Sequence, residues 1–294
     1  VERVAAVNNE EAIEAWNGVL FDRFVQFRDI VTAGLGAHGE AALEAHPPRQ
    51  GERVLDIGCG FGDTSQRIAG LVGEDGSVLG VDVAERFIET ARAEAEEAGA
   101  SNLEFMVADV EATEFEDRFD YAFARFGTMF FANPVAAMRN VRKALVPGGR
   151  LCMVVWRRKL DNEWLHRAER VVEEFVQEPE ESDEPTCGPG PFSMADADTT
   201  SHILLNAGFE DIALRRCDIP IEIGVDLDQA VEFVMALGPA GEVIRLAGED
   251  AARLKPRIEA ALREALAEYE TPGGVYASAS TWVVTAIAPA DSAA

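Results

Sequence analysis

Asp56, Gly58, Gly60 and Gly62 stand at alternate positions in Val54-Leu-Asp-Ile-Gly-Cys-Gly-Phe-Gly62. Glycine lets the backbone turn tightly and lets a ligand approach main-chain amides closely. The dinucleotide pattern Gly-x-Gly-x-x-Gly sets its third glycine one residue later, where a helix N-terminus meets a diphosphate. Here that glycine comes early, and an acid stands two residues before the first. A carboxylate there is ill suited to a diphosphate and suits a ligand with a charged amine. Asp82 closes a second apolar run, 20 residues after Gly62, where an acid can accept from both hydroxyls of a ribose. Asp109 closes a third run and is placed to accept from an exocyclic amine. A plain turn for the loop and a helix N-cap for each acid are the competing readings. Together the three acids surround one crevice, at the carboxyl strand ends where open α/β sheets bind ligands.

Other side chains point to a second partner beside that ligand. Arg157-Arg158-Lys159 is the densest basic run and follows directly on a strand ending at the crevice. Arg125 ends the preceding strand. Both could hold a carboxylate or phosphate, or could be ion pairs with neighbouring acids. Of four histidines, His166 in Trp164-Leu-His-Arg is the best-placed general base, ten residues past the fifth strand. A half-exposed helical histidine is the alternative. Met129, Phe130, Phe131, Trp156, Trp164 and Phe192 could line an aromatic pocket, though each could simply be core.

The elements that position these groups alternate. Strands are expected at Arg53–Ile57, Ser77–Asp82, Leu103–Ala108, Phe119–Ala124 and Arg150–Trp156. Helices are expected between them at Thr64–Leu71, Ala84–Ala98 and from Pro134 to about Leu145, the last opened by the N-cap Asn133. Such alternation implies right-handed crossovers and a parallel sheet covered on both faces. Before it, residues 10–35 carry Leu20, Phe21, Phe24, Phe27 and Val31 at helical spacing. After it come helices near Glu163–Val176, Ala195–Ala207, Leu227–Leu237 and Glu249–Tyr269, an acidic Pro-rich loop over Gln177–Pro191, and strands at Phe209–Ile223 and Val275–Ala288.

Composition narrows the partners. The 294 residues are 48% hydrophobic, enough for a large core, and 53 acids against 26 bases leave a net charge of −27. The charge is spread evenly, so no basic half exists to grip a polyanion, and nucleic acid and anionic membranes are not expected partners. Charge-free stretches such as Ala277–Ala290 fall short of the roughly 18 residues of a membrane span. The opening Val1-Glu2-Arg3 lacks the basic flank of a signal segment. Cys59, Cys152, Cys187 and Cys217 show neither metal-ligand spacing nor the density of a disulfide scaffold. A soluble, cytoplasmic protein is the simplest expectation.

Over residues 50–156 the sequence resembles the class I S-adenosylmethionine-dependent methyltransferases. The matching pieces are Val54–Asp63, Gly80-Val-Asp82, Val107-Ala-Asp109, Phe119-Asp-Tyr-Ala-Phe and Leu145-Val-Pro-Gly-Gly-Arg-Leu. Ala124-Arg-Phe-Gly-Thr-Met-Phe-Phe-Ala-Asn-Pro134 looks like small-molecule enzymes related to the ubiquinone and menaquinone C-methyltransferases. The resemblance implies an α/β, Rossmann-like, seven-stranded, mostly parallel sheet with helices on both faces, an N-terminal helical segment and late helical insertions. It implies three segments of one integrated domain: an N-terminal cover over 1–50, a cofactor-binding core over 51–156, and a completion of the sheet with substrate-covering insertions over 157–294. Asp56, Gly58, Cys59 and Gly60 would hold the amino-acid part of S-adenosyl-L-methionine, Asp82 and Val83 the ribose, and Asp109 and Val110 the adenine, with Arg125 beside them. Phe130, Phe131, Trp156, Arg157 and Trp164 would form the acceptor pocket. The amino-methylating signature Asn/Asp-Pro-Pro-Tyr/Phe is replaced by Arg125-Phe-Gly-Thr128, and Ala124-Arg125 lacks the acid of metal-dependent catechol enzymes, so no metal is expected. The implied activity is direct in-line methyl transfer to a small molecule at O, N or C, by a monomer or homodimer. A non-catalytic cofactor sensor stands as the alternative, and an NAD-dependent oxidoreductase is disfavoured by the glycine spacing.

Overall fold

A computed structural model describes residues 9–116, 118–176 and 189–290. The chain opens with helices α1 (Asn9–Asn17), α2 (Val19–Gln26) and α3 (Arg28–Ile30), a π-turn at Val31–Leu35, and α4 (Gly36–Ala45). The alternating part follows as β1 (Arg53–Ile57), α5 (Asp63–Val72), β2 (Ser77–Asp82), α6 (Glu85–Glu97), β3 (Leu103–Val107), β4 (Phe119–Arg125), α7 (Pro134–Ala144) and β5 (Leu145–Trp156). Then come α8 (Glu163–Glu173), α9 (Ala197–Ala207), β6 (Glu210–Gly224), α10 (Leu227–Ala236), α11 (Gly238–Ala247), α12 (Glu249–Leu266), the two-residue β7 (Glu270–Thr271) and β8 (Gly274–Ile287).

The strands form one sheet in the order β3-β2-β1-β4-β5-β8-β6, with β7 pairing β8. The first five are parallel, β8 runs antiparallel to β5, and β6, antiparallel to β8, closes the far edge. The short β7 is an eighth strand beside the seven expected. Because side chains alternate across a strand, each parallel strand feeds two cores. Leu151, Met153 and Val155 join Met138 and Val141 of α7 on one face. Cys152 and Val154 join Ile68 of α5 and Ile88 of α6 on the other.

Three differences from expectation bear on the site. The helix α4 continues the N-terminal segment past residue 35. Its buried His38 accepts from or donates to Thr281 Oγ1 of β8 at 3.0 Å. Residues 238–247, where Gly238-Pro239-Ala240-Gly241 carries helix breakers, form α11, because proline is tolerated in a first turn where no backbone donor is needed. The strand expected from Arg150 begins at Leu145, so that Pro147-Gly148-Gly149 lies within β5. Most of the acidic Gln177–Pro191 loop and Cys187 lie outside the described residues. Among the described residues, no helix is long and apolar enough to cross a membrane.

Candidate functional site

The carboxyl ends of β1, β2, β3 and β4 are brought level by parallel register, with Ile57 beside Val81 and Ala124, and Asp82 beside Val107. Beyond them lies a cavity of about 550 Å³. Gly58 and Cys59 N–H both donate to Val81 O, at 2.8 and 3.1 Å, which folds the glycine turn over the end of β2. Gly58 has φ +67°, and a Cβ there would stand 2.9 Å from Gly127 Cα. The β1 and β4 turns therefore meet backbone to backbone.

Asp82 Oδ2 accepts from Gly60 N–H at 3.0 Å, and Oδ1 from Ala84 N–H at 3.0 Å. These bonds orient the carboxylate at the cavity wall, while its burial raises the pKa above the ordinary carboxylate value. Asp109 Oδ1 accepts from Glu111 N–H at 2.9 Å. Glu111 in turn accepts from Ala132 and Asn133 N–H, each at 2.7 Å, tying the β3 turn to the start of α7. Arg125 pairs with Asp63 at 2.7 Å, and both line the cavity. Val83, Val110, Gly58, Cys59 and Gly60 are also in its wall. Burial pushes the Cys59 thiol far above its usual pKa, so it is no nucleophile.

On the other side the cavity is aromatic. Phe126, at φ +59°, stacks on Trp156 with centroids 4.8 Å apart, and Trp16 of α1 meets Phe130 edge-on at 5.0 Å. Phe131 and Trp164 complete this wall, and Trp164 stacks on Phe233 of α10. A partly buried ion pair, Lys159 Nζ to Glu169 Oε1 at 2.6 Å, also lies in the cavity wall.

Four residues fall elsewhere than the sequence suggests. Asp56 is not in the cavity wall: it shares the face of Val54, under α5, and accepts from Ser65 Oγ at 2.6 Å. Arg157 is buried but turned toward the antiparallel edge. Its guanidinium lies over the Trp282 ring at 5.1 Å, bonds Asp218 of β6 at 3.0 Å and pairs with Asp161 at 3.3 Å. Arg158 is exposed and bonds Asp161, so of the basic run only Lys159 reaches the cavity. His166 is outside the wall too, behind Glu169, with Nδ1 3.9 Å from Glu169 Oε2. Sequence reasoning missed Arg23, Asp63 and Glu169, all in the wall. The one available signal was that Asp63 and Glu169 fall within the first turn of α5 and the span of α8.

Residues 48–200 match the model of a methyltransferase domain. The chain belongs to this methyltransferase family. The chain is 40% identical over 114 residues to aklanonic acid methyltransferase DauC of Streptomyces sp. (strain C5), covering 38% of this chain and 52% of that protein. It is 36% identical over 115 residues to the ubiquinone/menaquinone biosynthesis C-methyltransferase UbiE of Pseudomonas fluorescens (strain Pf0-1), covering 38% and 45%. The matches thus span about half the length of these relatives. The fold is shared with the YcgJ protein of Bacillus subtilis, with a TM-score of 0.54 at 18% identity over 86% of this chain and 97% of that one. It is also shared with Haemonchus contortus phosphoethanolamine N-methyltransferase 2, whose structure contains S-adenosyl-L-methionine, with a TM-score of 0.50 at 18% identity over 86% and 52%. Among the described residues no group of three or more His, Cys, Asp or Glu could hold a metal ion.

Proposed function

We propose that the protein transfers a methyl group from S-adenosyl-L-methionine to a small, partly apolar acceptor by direct in-line displacement. One observation carries this: the glycine turn and the acids Asp82 and Asp109 line the same cavity as a wall of stacked aromatic rings. When bound, the cofactor supplies an electrophilic methyl on a sulfonium, and sulfur keeps the electron pair of the broken bond as an acceptor O, N or C forms the new one. Gly58, Cys59 and Gly60 floor its amino-acid end, beside the Arg125–Asp63 pair. Asp82 and Val83 hold the ribose. Asp109 and Val110 hold the adenine. Asp56 acts from beneath, by bracing the turn through Ser65. The aromatic wall of Phe130, Phe131, Trp156 and Trp164 orients the acceptor and excludes water, from which in-line transfer draws much of its rate. Lys159 and Glu169 give that wall one donor and one acceptor.

Residues 51–156 are thereby assigned to the cofactor, and 1–50 with 157–294 to covering the acceptor. The acidic, evenly charged chain supports a small-molecule partner rather than nucleic acid, and the proposal takes the protein as a cytoplasmic monomer or homodimer. Calorimetry with S-adenosylhomocysteine and with NAD tests the cofactor. Binding of the first and none of the second is expected, and binding of NAD alone overturns the reading. Labelled S-adenosylmethionine incubated with a metabolite extract tests transfer itself. Label should move to a small molecule, and repeated failure would favour a sensor.

A further inference from the structure

Three cations line the cavity, and two of them are neutralised: Arg125 by Asp63 at 2.7 Å and Lys159 by Glu169 at 2.6 Å. The third, Arg23 on α2, is half-buried, and its guanidinium makes no hydrogen bond or ion pair with any described residue. Glu242 of α11, whose charge acts on Arg23, is committed to Arg245 by bonds of 2.8 and 3.0 Å. Other charges of the N-terminal helices do find partners, Arg28 of α3 with Glu94 at 2.6 Å and Asp22 of α2 with Arg86 of α6 at 2.9 Å. Burial and the neighbouring Arg245 charge both lower the Arg23 pKa, with only Glu242 acting against them. A guanidinium partly withdrawn from water and bonded to no carboxylate carries a desolvation cost, and a ligand anion offsets it.

We infer that the acceptor carries an acidic group, a carboxylate or phosphate, and that Arg23 is the specificity-determining residue that receives it. The inference rests on the methyl-transfer reading above, which supplies the neighbouring cofactor. The geometry separates the two ends of such an acceptor. Its apolar body lies against Trp16, Phe24 and Phe130, and Arg23, one residue before Phe24 on α2, meets its charge at the α11 side. Arg157, the anion site suggested by sequence, is spent on Asp218 and Asp161.

The test uses the full chain saturated with S-adenosylhomocysteine and three probes of one shape: 2-naphthoate, 2-naphthyl phosphate and 2-naphthamide. Binding is read from tryptophan fluorescence, since Trp16, Trp156 and Trp164 line the cavity. At least one acid should bind about tenfold or more tighter than the amide, as a charge-assisted hydrogen bond provides. Whichever acid wins identifies the anion. Arg23→Gln should abolish the preference while leaving amide and S-adenosylhomocysteine binding intact, and Arg23→Lys should keep part of it. The inference is overturned if the amide binds as well as both acids, if neither acid binds, if the preference survives in Arg23→Gln, or if that variant weakens all probes equally. Failure of S-adenosylhomocysteine itself to bind would sink the methyl-transfer reading instead, before any probe is added.

Discussion

Asp56 and Asp82 are two carboxylates one strand apart with opposite work. Asp82 lies at the cavity wall, held by two backbone donors, and its truncation removes the ribose acceptor. Asp82→Ala should weaken S-adenosylhomocysteine binding by about 1–3 kcal/mol in calorimetry. Unchanged affinity would remove the ribose assignment. Asp56 is 1% exposed, and burial pushes its carboxyl from 3.8 up to about 7 against the bond from Ser65. An acid whose folded pKa is raised costs nothing while both states are protonated, below 3.8. As the pH climbs from there to 7, the unfolded chain ionises first and stability is lost, by up to about 4 kcal/mol. Asp56→Asn keeps an acceptor for Ser65 without a charge. Its stability advantage over the native chain should therefore grow between about pH 4 and pH 8 in urea denaturation. A constant difference would show that Asp56 ionises as it does unfolded. Its position was readable only in part: alternation puts Asp56 on the face of Val54, but not which face α5 covers.

At the scale of elements, the site depends on two turns that touch. Gly58 of the β1 turn and Gly127 of the β4 turn approach so closely that a methyl group on either meets the other's Cα within 3.0 Å. Gly58→Ala adds strain at φ +67° to this collision and should cost about 1–3 kcal/mol. Gly60→Ala, at φ +54° with nothing nearer than Phe87 at 4.0 Å, should cost only the strain, about 1 kcal/mol. Urea midpoints of the two variants separate collision from strain, and equal losses would mean that the turns can part. The glycine turn, the strand ends and α7 with its Asn133 cap were legible because local spacing and capping determine them. The helix α11 was not, because breakers at its start also suit a first turn and only packing on α8 and α10 decides between the two. Arg23 was hidden for the same reason: on α2 alone it reads as a solvated face, and α11 is what encloses it.

The whole molecule carries a net charge of −27 on one compact sheet-and-helix body. Like charges in a folded chain repel more than in an expanded one, and salt screens them within about 10 Å at 0.1 M. The thermal midpoint should therefore rise by a few degrees as sodium chloride is raised from low to moderate concentration. A fall would show that ion pairs such as Arg28–Glu94 and Arg150–Glu52 outweigh the repulsion. The amino-acid order alone was enough for the alternating strands and helices, the glycine turn and the acids Asp82 and Asp109. Each of these follows from neighbours a few residues apart and from a parallel sheet that must align its strand ends. The fates of the cations were decided only by the tertiary structure. Arg157 meets Asp218, 61 residues away, across the antiparallel edge, while Arg125 meets Asp63 in the cavity wall and Arg23 makes no ion pair with any described acid. Local order does not encode which charges come within a few ångströms, because that depends on where distant elements pack.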